Sequence, residues 1–313
     1  MEYLTAKEAS EKWGVSERMV RLYCNQGRIP DAYLEFDTWY IPENAEKPGR
    51  KQKEAKTASP PLLLILLKQR DRKQYRGCYE YLQINMVYSS ERMASNRLTR
   101  NQLETLYKKD YIYTTTQDIK VNDIVEARNH FLCVDMVLSN AMKPLTQTLI
   151  NQLQALLLNN SCRHRRHDPV PTGYRKTAAS KKFESALPPE QIRAAIADLI
   201  KKYESKTSID LTDILDFHVT FERIHPYVDC NGRVGRLLIL KECLRHGITP
   251  IIIDDKHRTD YLKGIRHWDE DPAILTEVCL KAQKRFDAQV NLQSLLESHA
   301  RLFRNMHRAE KNR

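Results

Sequence analysis

Within twelve residues, His225-Pro226-Tyr227-Val228-Asp229-Cys230-Asn231-Gly232-Arg233-Val234-Gly235-Arg236, the chain gathers a base, a carboxylate, an amide, two glycines and two arginines. A triphosphate needs such a set: a proton acceptor, an oxygen able to hold a metal, main-chain NH groups at a helix start, and cations for the distal phosphates. A helix predicted over 210–223 must stop near Pro226, and another is predicted over 232–246. The loop between them offers NH groups and a positive dipole end to an anion, with Asn231 and Gly232 at closest approach. Arg233 and Arg236 are three apart and share nearly one face of the first turn. The combination points to nucleotide chemistry.

The elements that must position these residues are mostly helical. Apolar spacing predicts helices over 62–89, 99–108, 121–140, 145–158, 189–204, 210–223, 232–246 and 258–269, and a last one from Pro272. The exception is 167–187, rich in Pro, Thr, Gly and Ser, where Gly173-Tyr174-Arg175 and Lys182-Phe183-Glu184 read as short strands of a flap. At the other end, Thr5 and Glu8 form a capping box, and Gly14-Val15 turns the chain into a second helix capped by Ser16. Residues 33–42 then alternate as a hairpin wing. Polar residues 49–59 read as a linker, so the expected units are 1–48, a linker, a helical domain over 60–280 and a basic C-terminal helix over 281–313.

Charge and cysteine usage bound the setting. The formal charge of +11 suits an acidic partner, but residues 1–58 carry ten basic and ten acidic residues. The excess sits in 163–182, with seven basic residues against Asp168, and in 281–313, with eight against three. Seven cysteines without a CxxC pair fit a reducing compartment. The longest aliphatic run, 62–67, is too short to cross a bilayer, and a cytoplasmic protein without structural zinc is expected.

The twelve-residue run resembles the signature of Fic-domain proteins, His-x-Phe-x-(Asp/Glu)-Gly-Asn-Gly-Arg-x-x-Arg. The resemblance implies a Fic-type helical bundle with a hairpin flap, transferring AMP from ATP to a Ser, Thr or Tyr hydroxyl of a target protein and of itself. It implies that His225 takes the hydroxyl proton and that Asp229 holds Mg²⁺. Asn231, Gly232 and the loop around Cys230 would bind the α-phosphate, and Arg233 and Arg236 the outer phosphates. Tyr227, where the family has Phe, would anchor the loop. Glu126-Ala127-Arg128-Asn129-His130 resembles a family motif on a helix behind the site, and Gly173, Tyr174 and Arg175 lie where the family's flap pairs with a target peptide.

Two departures stand out. Cys230 replaces the first signature glycine, a problem for a side chain if the backbone there has positive φ. The stretch from Ser90 to Thr99 resembles the family's inhibitory motif, (Ser/Thr)-x-x-x-Glu-(Gly/Asn), but Ala94 stands at the glutamate and Ser95 follows it. The expectation is a de-repressed site with Arg236 free, in which Glu91, on a similar face, partly replaces the missing carboxylate. Residues 1–48 resemble small winged helix-turn-helix domains of the MerR and excisionase type, which implies DNA contact through Arg18, Arg21 and Asn25. A homodimer is compatible with this reading. The alternative is a DNA-binding regulator whose Fic domain senses nucleotides with weak or no turnover.

Overall fold

The computed structural model describes residues 2–35, 38–48, 59–74, 76–113, 118–161, 172–179 and 186–311, with 302–311 described only as helix. The linker expected over 49–59 and the strand expected at Lys182-Phe183-Glu184 fall wholly or almost wholly outside these residues.

The N-terminal unit runs β1 (Tyr3–Thr5), α1 (Ala6–Trp13), α2 (Glu17–Asn25), β2 (Tyr33–Glu35) and β3 (Thr38–Pro42). Thr5 and Glu8 make the reciprocal capping box, and Gly14, at φ 61°, turns the chain so that Ser16 can cap α2. The sheet order is β1-β3-β2, antiparallel throughout, with Tyr33 opposite Tyr40 and Leu4 opposite Ile41. Its third strand, β1, was not anticipated, because three residues are too few to show a period. Ala9, Val20, Cys24, Trp39 and Ile41 close a core of its own.

The rest is helical: α3 (Pro61–Asp71), α4 (Cys78–Met93), α5 (Arg100–Lys109), α6 (Val121–Asn140), α7 (Gln147–Leu157), α8 (Pro189–Glu204), α9 (Leu211–Ile224), α10 (Asn231–Arg245), α11 (Arg258–Arg266), α12 (Ala273–Val290) and α13 (Leu292–Lys311). The single helix expected over 62–89 is two helices. Lys73 and Arg76 take positive φ, and the Gln69 side chain accepts from the Tyr79 amide at 2.9 Å, capping α4. Gly77 makes this cap feasible, since a Cβ there would lie 2.6 Å from Gln69 Oε1. The helix expected from Pro272 also breaks, at Asn291 (φ 47°).

At the centre lies α10, packed by α9, α6, α7 and α4. Val234, Leu237, Leu238, Leu240, Cys243 and Leu244 cover every side of it and are all buried, as an all-round apolar helix requires. Each buried leucine contributes about 2 kcal/mol. Two of its four buried charges answer each other: Lys241 Nζ meets Glu242 Oε1 at 2.5 Å and donates to the carbonyls of Ala141 and Lys143. The helix is thus held along its length by its neighbours, with its first turn at the mouth of the site.

Candidate active site

The signature loop joins α9 to α10 and lines a cavity of about 620 Å³. Its shape is set residue by residue. His225 ends α9 in the left-handed conformation (φ 49°, ψ 60°), with its NH still bonded to the Phe221 carbonyl, and Pro226 forbids another turn. The Tyr227 ring is fully buried; its hydroxyl donates to Asn151 Oδ1 at 2.7 Å and the ring stacks on Tyr174 at 5.7 Å. Tyr227 therefore anchors the loop.

Asn231 braces the same loop. Its Oδ1 accepts from the Tyr227 amide and its Nδ2 donates to the Tyr227 carbonyl, both at 2.9 Å. One donor of Nδ2 and one lone pair of Oδ1 thus brace the loop, and the main-chain NH groups of the first turn of α10 stand beside them at the helix start. Cys230 has φ 73° and ψ 9°, is 3% exposed and lines the cavity. The glycine position does demand positive φ, and this chain holds a cysteine in it.

The two arginines part company. Arg233 is 4% exposed and committed to carboxylates: Glu126 in close contact, and Glu91 and Asp229, each at 3.4 Å. Arg236, expected to be free of a pairing glutamate, is held by Ser90, with Nε on the hydroxyl at 2.9 Å and Nη2 on the carbonyl at 3.1 Å. Ala94 lines the cavity at the end of α4 and brings no carboxylate to Arg236. Ser95 has φ 70°, which explains why a motif at this place favours Gly or Asn.

Glu91 does not stand in for the missing glutamate. It turns to His130 Nδ1 (2.8 Å), Asn96 and Arg233. Burial alone would raise its carboxyl, but Arg233, His130 and Asn96 outweigh that and bring it down to about 2. Of the 126–130 motif, Glu126 and His130 thus act on the signature from behind, while Asn129 ties the end of α7 through the Leu157 carbonyl at 3.1 Å.

The flap expectation is corrected in its described part. No strand forms over 172–179. Arg175 is buried, donates from Nε to the His225 carbonyl at 2.8 Å, and its NH meets the Pro226 carbonyl at 2.9 Å. Gly173 NH is bonded to Gln154 Oε1 at 3.0 Å. These residues fasten the signature loop instead of presenting a free strand edge. Burial, helped by the Arg175 charge, lowers His225 to about 4 against a hydrogen bond to the Glu222 main chain, so the imidazole is neutral at physiological pH.

Among the described residues no group of three or more His, Cys, Asp or Glu is placed to hold a metal. Asp229, partly exposed to the cavity, suits a different arrangement, since Mg²⁺ is usually held by one or two carboxylates together with substrate phosphates. Sequence reasoning missed Glu222 on α9, and Arg258, Tyr261, Leu262 and Ile265 on α11, which also line the cavity. The one signal for Glu222 was its place one turn before His225.

Comparison with known proteins bears directly on this geometry. Residues 144–243, which span α7 to most of α10, match the Fic/DOC family model. They form a Fic/DOC domain. A probable protein adenylyltransferase of Aquifex aeolicus is 30% identical over 119 residues, 37% of this chain and 36% of its own. A protein adenylyltransferase Fic of Drosophila grimshawi is 28% identical over 149 residues, 44% of this chain and 29% of its own. The chain therefore spans about a third of the length of these curated relatives. A Fic domain-containing signalling protein of Bacteroides thetaiotaomicron superposes with a TM-score of 0.54 at 21% identity, covering 76% of this chain and 94% of that one. A Fic family protein of Desulfovibrio desulfuricans gives 0.54 at 20%, covering 78% of each. The helical bundle around the Fic/DOC domain is thus a Fic fold.

Proposed function

We propose that the cavity takes ATP and that the protein transfers AMP from it to a Ser, Thr or Tyr hydroxyl of a target protein, itself included. The observation that carries this reading is a neutral His225 lining one cavity with the first turn of α10 and Arg236. The adenylyltransferase names of the relatives support it.

In this reading His225 accepts the proton of the target hydroxyl as its oxygen bonds to the α-phosphorus. The bond from that phosphorus to the bridging oxygen breaks, and pyrophosphate leaves with the electron pair. Main-chain NH groups at the start of α10 take the α-phosphate oxygens, and Arg236, aimed by Ser90, takes the outermost phosphate. Arg233, clamped by carboxylates, fixes Asp229 beside the phosphates in place of gripping them itself. Asp229 would hold Mg²⁺, which when bound supplies charge neutralisation on the phosphates. With Ala94 in place of a glutamate, the site is open in its resting state.

The test uses ATP labelled separately at its α- and γ-phosphates. Label from the α position retained on protein, and lost with His225→Ala, supports AMP transfer; γ label on protein means phosphoryl transfer, and neither label means a sensor.

For residues 1–48 a contact with DNA remains the second reading, because Arg18, Arg21 and Asn25 are all exposed on α2, Arg21 paired to Glu17 at 2.6 Å. Salt-sensitive binding to duplex DNA that weakens in Arg18→Ala supports it, and equal behaviour of the two proteins overturns it.

A further inference from the structure

Glu222 lies on α9 one turn before His225 and lines the same cavity, and its Oε1 is shut from solvent with no hydrogen-bond partner among the described residues. It stands against the first turn of α10. A Cβ built on Gly235 would come within 2.8 Å of that oxygen; one built on Gly232 would lie 3.6 Å from it and 3.0 Å from Arg236 Nη1. The two glycines let a carboxylate and a guanidinium share the start of the helix, where an anion would sit. Ser90 takes Nε and Nη2 of Arg236, and Nη1 lies on the Gly232 side of the same first turn, near Glu222 without a hydrogen bond to its Oε1.

We propose that Glu222 decides how readily Arg236 takes up the outermost phosphate: ionised, its carboxylate claims the guanidinium and repels the triphosphate, and neutral, it leaves both the guanidinium and the helix start to the ligand. The proposal deepens the nucleotide reading above and rests on it. It places a gating carboxylate on α9, opposite the α4 position that Ala94 leaves without one. The charged and titratable groups around Glu222 are Arg236 from α10, Tyr261 and Arg258 from α11, and His218 and His225 from α9 itself; α4 contributes the uncharged Ser90. His218 and His225 are both held well below the usual histidine value by burial, so they stay neutral while Glu222 titrates. Burial drives the Glu222 carboxyl up to about 7 against the pull of Arg236, so both of its forms are populated near neutrality. The ionised form grows as pH rises through that value, and triphosphate affinity falls with it.

Titration calorimetry with α,β-methylene ATP and saturating Mg²⁺ tests this on the full chain at about pH 6, 7 and 8.5. The nucleotide's own ionisation is common to all proteins compared, so the difference between them isolates Glu222. Wild type should bind about tenfold more weakly at the highest pH than at the lowest, while Glu222→Gln and Glu222→Ala stay flat within about twofold. In turnover the dependence should appear in KM for ATP and not in kcat, which loss of packing alone would not produce. Affinities that fall in parallel in wild type and both variants overturn the role of Glu222 and leave the nucleotide reading standing. If wild type fails to bind at every pH, the nucleotide reading falls and the gate falls with it.

Discussion

Removing the His225 imidazole should lower α-label transfer about 10³-fold while nucleotide binding stays within a few-fold, because a general base acts on the hydroxyl and not on ATP affinity. Labelling and calorimetry on His225→Ala read both. Cys230 poses a finer question. Its φ of 73° costs a non-glycine residue about 1–2 kcal/mol, but glycine there loses more chain entropy and gives up the contacts of a buried thiol, each about 1 kcal/mol. Cys230→Gly should therefore leave the urea midpoint almost unchanged, and a shift of more than about 1 kcal/mol either way would contradict this balance. At this scale the loop was legible in the composition of the twelve-residue run, while the anchoring of Tyr227 followed from the resemblance to the Fic signature. The roles that escaped belong to side chains whose partners are distant or internal to the fold. That the Asn231 amide braces Tyr227 by both of its ends is one of these, since nothing in sequence shows it. For Glu222 the sequence offered only its place one turn before His225, because its burial depends on how α9 and α10 meet.

At the scale of elements, α4 is the piece whose sequence promised one thing and whose packing delivers another. Ala94 faces the cavity, whereas Glu91, one turn earlier, is drawn toward α6 by His130. Restoring a carboxylate with Ala94→Glu should cut labelling about tenfold or more by pairing with Arg236 across the cavity; unchanged labelling would show that α4 does not gate the site. Glu91→Gln leaves Arg233 with less opposing charge in a buried setting and should lower unfolding free energy by about 3 kcal/mol, measured in urea. Helices such as α5 and α9 were legible because capping residues and apolar period agree, as at Thr99 and Asp210. The break between α3 and α4 was not, since the apolar period runs through it and the deciding contact is a side-chain cap from Gln69.

Across the whole molecule, acid should be the weak side. His130, His218 and His225 are all held below 6.5 by burial, His218 to about 3 and His225 to about 4, so the unfolded chain takes their protons first. Glu222, raised to about 7, and Asp135, also raised by burial, oppose this, while Glu91, brought down to about 2, adds to the loss at lower pH. Stability should fall as pH drops from 6.5 toward about 4, seen as a lower urea midpoint at pH 5 than at pH 7; equal midpoints would refute it. The N-terminal unit is docked by Gln147 on Asp31, Lys176 on Glu35, and the Arg193 guanidinium 3.6 Å over the Tyr33 ring. Arg193→Ala should release about 1 kcal/mol of that attachment and speed amide exchange in β2 about fivefold, and unchanged exchange would mean the ring contact carries none of it. None of this docking was visible in sequence, where 1–48 read as a separate unit. The same guanidinium also lies 5.7 Å from the Tyr174 ring, which in turn props Tyr227. Tyr33, Arg193, Tyr174 and Tyr227 thereby form one relay of stacked rings and a shared cation, so that the outer sheet and the signature loop are braced by the same side chains.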